Sequence, residues 1–319
     1  MDKRRSRFSR VSNGRKLSSD GEVLIKILRK LDPEWEYSCL PTDWLAAITG
    51  HVEKYVKTIA LDAAREPHFL TGRKDYHFKS SVIWREDKGD ELLIKKGYLS
   101  RRSRRTKAQR AHDILDSIID ASIELGVRKQ PQLELLKWRD ILQHPLTPQA
   151  MKDSIDPFRI TLASGSVVIP DGKPFGLRHA ENGGMGFFKE TDRDSEDLSG
   201  NARVTIDKKL DAWKEIFDNK LYRKLYGFPS AMLLFITIDK DREKKLQERI
   251  KARIGNCSWI LTKTTADFEQ SHFSVKPHTE ILDTPFNRVG FPPFDLRTLS
   301  ETIPGFDSPS VSMSNTAHL

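Results

Sequence analysis

Cysteine is nearly absent from this chain. Cys39 and Cys257 are the two among 319 residues, which excludes a disulfide framework and a thiolate zinc cluster and suits a reducing compartment. No apolar run approaches the roughly 20 residues needed to span a bilayer. The opening Asp2-Lys3-Arg4-Arg5-Ser6-Arg7 has no apolar segment of the kind a secretion signal carries. A soluble, cytoplasmic protein without membrane contact is the expectation. There are no Cys pairs at zinc spacing and no phosphate-cradling Gly-x-x-x-x-Gly-Lys, so ATP-driven and zinc-finger chemistry are poor readings, and a His-x-His metal cluster is absent too. Acid is the scarcer charge: 45 Asp and Glu stand against 54 Lys and Arg, for a formal net charge of +9 and a pI near 9.4. That balance favours a polyanionic partner and suits RNA as well as DNA.

Residues 1–20 are rich in Arg, Ser, Asn and Gly without apolar periodicity, and read as a disordered basic arm. From Gly21 the pattern becomes helical, with Val23, Leu24, Ile27, Leu28 and Leu31 in phase before Pro33. Thr42 is placed to cap a short helix carrying Trp44, Leu45 and Ile48, and Thr49-Gly50 makes a turn. A third helix over 51–65 puts Val52, Tyr55, Val56, Ile59, Ala60 and Ala63 on one face, leaving Lys54, Lys57, Thr58 and Arg65 outward. Phe69-Leu70-Thr71 and Tyr76-His77-Phe78-Lys79 then read as two strands around a turn with Arg73 and Lys74 at its tip. Together these make a winged helix-turn-helix over 21–100, with the third helix in a major groove and the wing beside it. It tilts the polyanion choice to DNA. Lys95, Lys96, Arg101, Arg102, Arg104, Arg105, Lys107 and Arg110 follow with no acid among them, a run suited to phosphates whatever the base sequence.

A helix over Thr106–Leu125 ending at Gly126 opens the second expected domain, 101–298. Its strands are read around Leu133–Trp138, Arg159–Leu162, Ser166–Ile169, Gly183–Thr191, Ala231–Ile238 and Ser258–Leu261, with helices over Arg203–Leu225 and Asp239–Ile254. The expected class is α+β or α/β with a small mixed sheet, and 299–319 reads as a disordered tail. The apolar run ending in Pro170-Asp171 and the run Phe187-Phe188 ending in Glu190-Thr191-Asp192 are laid out as in a metal-dependent phosphodiesterase. If they are neighbouring strands, Asp171 and Glu190 meet and can hold Mg²⁺ or Mn²⁺. Asp192 stands where the PD-(D/E)XK nuclease pattern has Lys. It offers a third ligand, and Lys209 on the next helix offers the missing ammonium. Glu124 is an outer acid candidate. Pro170-Asp171-Gly172 is also an ordinary turn sequence, and Tyr222 and Tyr226 read as packing residues, not nucleophiles.

The succession of these helices, the basic run, His112-Asp113-Ile114-Leu115, Pro170-Asp171, Phe187-Phe188-Lys189-Glu190-Thr191-Asp192-Arg193, Lys209, Tyr222 and Phe228-Pro229 resembles the replication-relaxation family of plasmid and mobile-element proteins. The resemblance covers about residues 20–240. It implies a winged helix joined to a restriction-endonuclease-like domain, a role in plasmid replication or mobilisation, and, in some relatives, relaxase nicking at a transfer origin. The motif acids would fall on Asp171, Glu190 and Asp192 and the helix lysine on Lys209. Gly172-Lys173-Pro174 and the polar insertion Asp194–Ala202 depart from the pattern.

Two readings stay open. In one, Asp171, Glu190 and Asp192 hold Mg²⁺ or Mn²⁺ and Lys209 stabilises charge on a scissile phosphate. In the other, a DNA-binding replication or transcription regulator stands on a degenerate nuclease fold. DNA is the partner in both. Replication or mobilisation proteins and a homodimer are further partners left open.

Overall fold

The computed structural model describes residues 19–65, 68–74, 81–100, 110–192, 205–237, 239–264 and 276–299. The basic arm, Arg101, Arg102, Arg104, Arg105, the insertion after Asp192 and the tail beyond Leu299 lie outside them. Within them the protein is a mixed α+β molecule with eleven helices and a mixed sheet.

Three helices, α1 (Ser19–Lys30), α2 (Thr42–Thr49) and α3 (Glu53–Ala64), pack around the apolar stripe expected from their periodicity, with Leu24, Ile27, Leu28, Trp44, Leu45 and Ile59 buried, except that Val52, expected on the buried face of the third helix, precedes α3 and is exposed. The turn between α2 and α3 is made by Gly50 at φ 73°, a left-handed conformation that glycine adopts without strain. A three-stranded antiparallel sheet completes this unit, with β1 (Leu40–Pro41) and β2 (Leu70–Lys74) flanking β3 (Ser81–Arg85). Helix α4 (Asp87–Lys95) packs against α1. Arg85 is sealed beneath it, ion-paired to Asp90 at 2.6 Å and Asp32 at 3.1 Å.

Helix α5 (Arg110–Val127) belongs to two cores at once. Ile114, Ile118 and Ala121 join the core of the N-terminal unit. Leu115, Ile119 and Ile123, one position round the helix, pack on the main sheet. That sheet has seven strands in the order β12 (Phe291–Phe294), β11 (Phe286–Val289), β10 (Cys257–Thr264), β9 (Ala231–Thr237), β8 (Gly183–Asp192), β7 (Phe175–His179) and β4 (Leu133–Leu136). The three central strands, β8, β9 and β10, run parallel and the outer pairings are antiparallel. Helices cover both faces, which is why β9 is buried along its whole length. Met232, Leu234 and Ile236 meet α5 and α11 (Glu280–Asp283). Ala231, Leu233 and Phe235 meet the layer made by α6 (Trp138–Gln143), α8 (Ile206–Asp218), α9 (Leu221–Tyr226) and α10 (Lys240–Arg253). A short α7 (Gln149–Lys152) precedes a separate hairpin of β5 (Ile160–Thr161) and β6 (Val167–Val168).

Several elements differ from their sequence reading. The run Ser166–Ile169 is not in the main sheet: β6 pairs only with β5, and Val167 and Ile169 are too exposed for a core strand. The neighbour of β8 is β7, which begins after Asp171. β2 runs to Lys74 and pairs with Ser81–Arg85, which buries Val82 and Ile83, while the strand expected over 76–79 lies outside the described residues. Arg73 and Lys74 therefore belong to β2 itself, and their side chains lie outside the described residues. Thr42 is the first residue of α2, with Pro41 at the cap position. Helix α5 runs through Gly126, where a Cβ would sit 2.7 Å from Leu282, so the glycine admits α11 instead of ending the helix. The long helix expected over Arg203–Leu225 is two, α8 and α9, divided at Lys220, whose φ is 49°. The sheet is wider than expected because β11 and β12 close its far edge.

Candidate functional site

Alternation along β8 sorts its side chains between two layers. Phe187 and Lys189 face α5, while Phe188 and Glu190 face α8. The register of β7 on β8, continued backwards, carries the chain to Asp171 beside Thr191, whose backbone N–H donates to Asp171 Oδ2 at 2.9 Å. Asp171 and Glu190 thus meet even though the strand expected to deliver Asp171 is elsewhere.

Lys209 comes from α8, whose start is capped by the Thr205 hydroxyl. Its Nζ donates to Glu190 Oε2 at 2.8 Å and lies 3.5 Å from Asp171 Oδ2. Trp213, one turn further on, donates its indole N–H to Glu190 Oε1 at 3.0 Å. Glu190 is 2 % exposed. Burial raises its pKa well above the ordinary carboxylate range, and the neighbouring Asp171 charge adds to the rise against the pull of Lys209. Two carboxylates crowded in a partly sealed site favour a cation between them, and the Lys209 ammonium supplies one charge there.

Asp192 is on the same face of β8 as Glu190 but is engaged elsewhere. Arg242 of α10 grips it with Nε at 2.5 Å and Nη2 at 3.2 Å, a bidentate pairing. Among the described residues no group of three His, Cys, Asp or Glu side chains is arranged to hold a metal ion. Asp171 and Glu190 fit Mg²⁺ or Mn²⁺ as two hard-oxygen ligands, the number that leaves most positions to water or a phosphate. Glu124 is not part of this site. Lys30, Lys137 and Arg128 pair with it and Tyr37 donates to it. Burial pushes its pKa up, but Lys137 and Lys30 outweigh that and hold it at about 2.

The basic candidates divide as follows. Lys54, Lys57 and Arg65 are exposed on the outward face of α3 or just beyond its end, with Arg65 3.3 Å from Asp62. Tyr222 and Tyr226 are buried in aromatic packing. Sequence reasoning missed Trp213 and Arg242 as partners of the acids. The spacing of Lys209 and Trp213, four apart on one helix, was the available signal for the first. It also missed Lys189, an ammonium buried in an apolar strand and paired at 2.6 Å with Asp116 and also with Asp120. Asp113, Asp116 and Asp120 at helical spacing were the sign of a helix face that takes a cation.

No protein family, curated protein or solved structure matches the chain. Among the described residues no helix is long and apolar enough to cross a membrane.

Proposed function

We propose that this protein binds DNA through its N-terminal unit and nicks it at the site formed by Asp171, Glu190 and Lys209, with Mg²⁺ or Mn²⁺ as cofactor. The observation that carries the reading is the convergence of two carboxylates from different chain segments on one lysine, 2.8 Å and 3.5 Å from its Nζ. The order helix, strand, two helices, two strands in the N-terminal unit supports a winged helix. The order of α5, β4, β7, β8, α8 and β9, with an acid before β7 and another on β8, supports a PD-(D/E)XK-like domain. The resemblance to replication-relaxation proteins adds a plasmid or mobile-element setting.

In this mechanism Asp171 and Glu190 would hold the cation, and the chemistry it would supply there is polarisation of the phosphate and a lowered pKa for water. Lys209 is positioned to stabilise charge building on the phosphate. Trp213 fixes the Glu190 rotamer by its hydrogen bond. Arg242 keeps Asp192 turned into its own ion pair.

The test is nicking of supercoiled plasmid with Mg²⁺ or Mn²⁺, with binding of the same DNA followed in parallel. Metal-dependent nicking that disappears in Asp171→Ala while binding persists supports the reading; binding with no nicking under either metal overturns the catalytic part. One observation favours a second reading, a DNA-binding regulator on a degenerate nuclease scaffold: Asp192 is taken by Arg242, leaving two acids where the motif offers three.

For the N-terminal unit, Lys54→Ala and Lys57→Ala should each weaken binding evenly across sequences and reduce the slope of log affinity against log salt by about one. Arg65→Ala should do less, since Arg65 already pairs with Asp62. Titrations at several salt concentrations check this, and an unchanged slope in both lysine variants removes α3 from the interface.

A further inference from the structure

The loop that delivers Asp171 is held from behind. A Cβ on Gly172 would lie 2.3 Å from Lys189 Cε and 2.8 Å from Asp116 Oδ1, so the backbone after Asp171 rests directly on the Lys189–Asp116 ion pair. Lys189 also donates to the Asp116 carbonyl at 3.0 Å. Asp116 belongs to α5, the helix shared by both cores. Burial raises its pKa to about 7, with Lys189 opposing and Asp120 adding to the rise.

The next residue reaches further. Lys173 Nζ donates to the backbone carbonyl of Glu36 at 2.7 Å, and Glu36 lies in the loop after α1, in the N-terminal unit. The Glu36 carboxylate is itself paired with Lys30 and with Lys137, which also holds Glu124 of α5. One residue from Asp171 the chain rests on α5, and two residues from it the chain is tied to the unit that carries the exposed lysines of α3.

We propose that Lys173 is a positioning residue that couples the N-terminal unit to the cation site, so that DNA bound by that unit and a divalent cation bound at Asp171 and Glu190 strengthen each other. This rests on the reading of both sites given above. A shift of the Glu36 loop moves the Lys173 anchor and hence the Asp171 carboxylate, which has no rigid strand of its own to hold it. Coupling of this kind is reciprocal by linkage.

The experiment is a Mn²⁺ titration of the full chain followed by the paramagnetic signal of free Mn²⁺. It is run with and without a mixed-sequence duplex at low ionic strength, for the wild type, Lys173→Met, Lys173→Arg and Glu190→Gln. Duplex should tighten Mn²⁺ binding by about fivefold or more in the wild type. It should have no such effect in Lys173→Met, and Lys173→Arg, which keeps a donor, should restore most of it. Coupling that survives in Lys173→Met overturns the proposal, because phosphates ligating the ion directly would then carry it. Absence of coupling in the wild type overturns it too, even if Lys173→Met does not fold. Mn²⁺ binding that Glu190→Gln leaves unchanged overturns instead the site on which the proposal stands, and a duplex that does not bind removes the other half.

Discussion

Glu190→Gln should abolish metal-dependent nicking, by about a thousandfold, while DNA binding measured without metal stays at the wild-type level. The substitution keeps the size of the side chain and an oxygen for the Trp213 N–H, which now sits 3.0 Å from Glu190 Oε1. What it removes is the negative charge. A divalent cation supplies several kcal/mol of transition-state stabilisation, and at about 1.4 kcal/mol per factor of ten its loss reaches that size. The same variant makes a second, opposite change. Burial and Asp171 hold the Glu190 carboxyl well above its ordinary pKa, so the folded state binds its proton more tightly than the unfolded chain does. The stability this gives is fully present below the ordinary carboxylate pKa and is lost as pH rises through the raised one. A neutral amide does not titrate. The metal-free variant should therefore lack this loss on going from acidic to mildly alkaline pH, and should gain little from added Mg²⁺, whereas the wild type gains more. Thermal melts over a pH series with and without Mg²⁺ measure both. A wild type whose stability rises across that range would remove Glu190 as the strained group.

Much of the N-terminal unit was legible in the sequence because its signals are local. The stripes of α1 and α3 are carried by residues three and four apart, and Gly50 marks its turn by a backbone conformation that few other residues adopt. The strand expected at Tyr76 to Lys79 lies outside the described residues, while Ser81 to Arg85 was not read as a strand because only the tertiary burial of Val82 and Ile83 marks it as one. At the site, Asp171, Glu190 and Lys209 were readable as chemistry while the path joining them was not. Val167-Val168-Ile169 has the composition of a core strand, but Val167 and Val168 pair only with β5, since the sheet position beside β8 goes to Phe175–His179. The fate of Asp192 was illegible for a different reason. Its partner Arg242 is fifty residues away, on a charged amphipathic helix whose sequence does not mark which of its many charges turns inward.

Arg85→Met should cost about 3–5 kcal/mol of stability, the range for breaking a buried ion pair from one side, against a total of roughly 5–15 kcal/mol for an ordinary domain. The Arg85 side chain is 0 % exposed, is ion-paired with Asp90 at 2.6 Å and Asp32 at 3.1 Å, and donates to the Leu28 carbonyl at 2.6 Å. Methionine fills most of the space but leaves two carboxylates without their cation, one of them, Asp90, at 0 % exposure. The cost therefore comes from stranded charge and not from a cavity. Arg85→Met combined with Asp90→Leu should recover a large part of it, since replacing both partners of a buried pair by apolar groups is often neutral. Urea unfolding of the two variants separates the explanations: equal midpoints would mean that packing and not charge sets the loss. Asp32 also organises the turn that follows α1, accepting from the Glu34 N–H at 3.0 Å through its side chain and from the Glu36 N–H at 2.8 Å through its carbonyl. Glu36 is the residue whose carbonyl holds Lys173 at 2.7 Å. Releasing Asp32 from Arg85 therefore loosens the N-terminal anchor of the Asp171 loop. The single variant should lose the cooperation between duplex and Mn²⁺ even at temperatures where it remains folded.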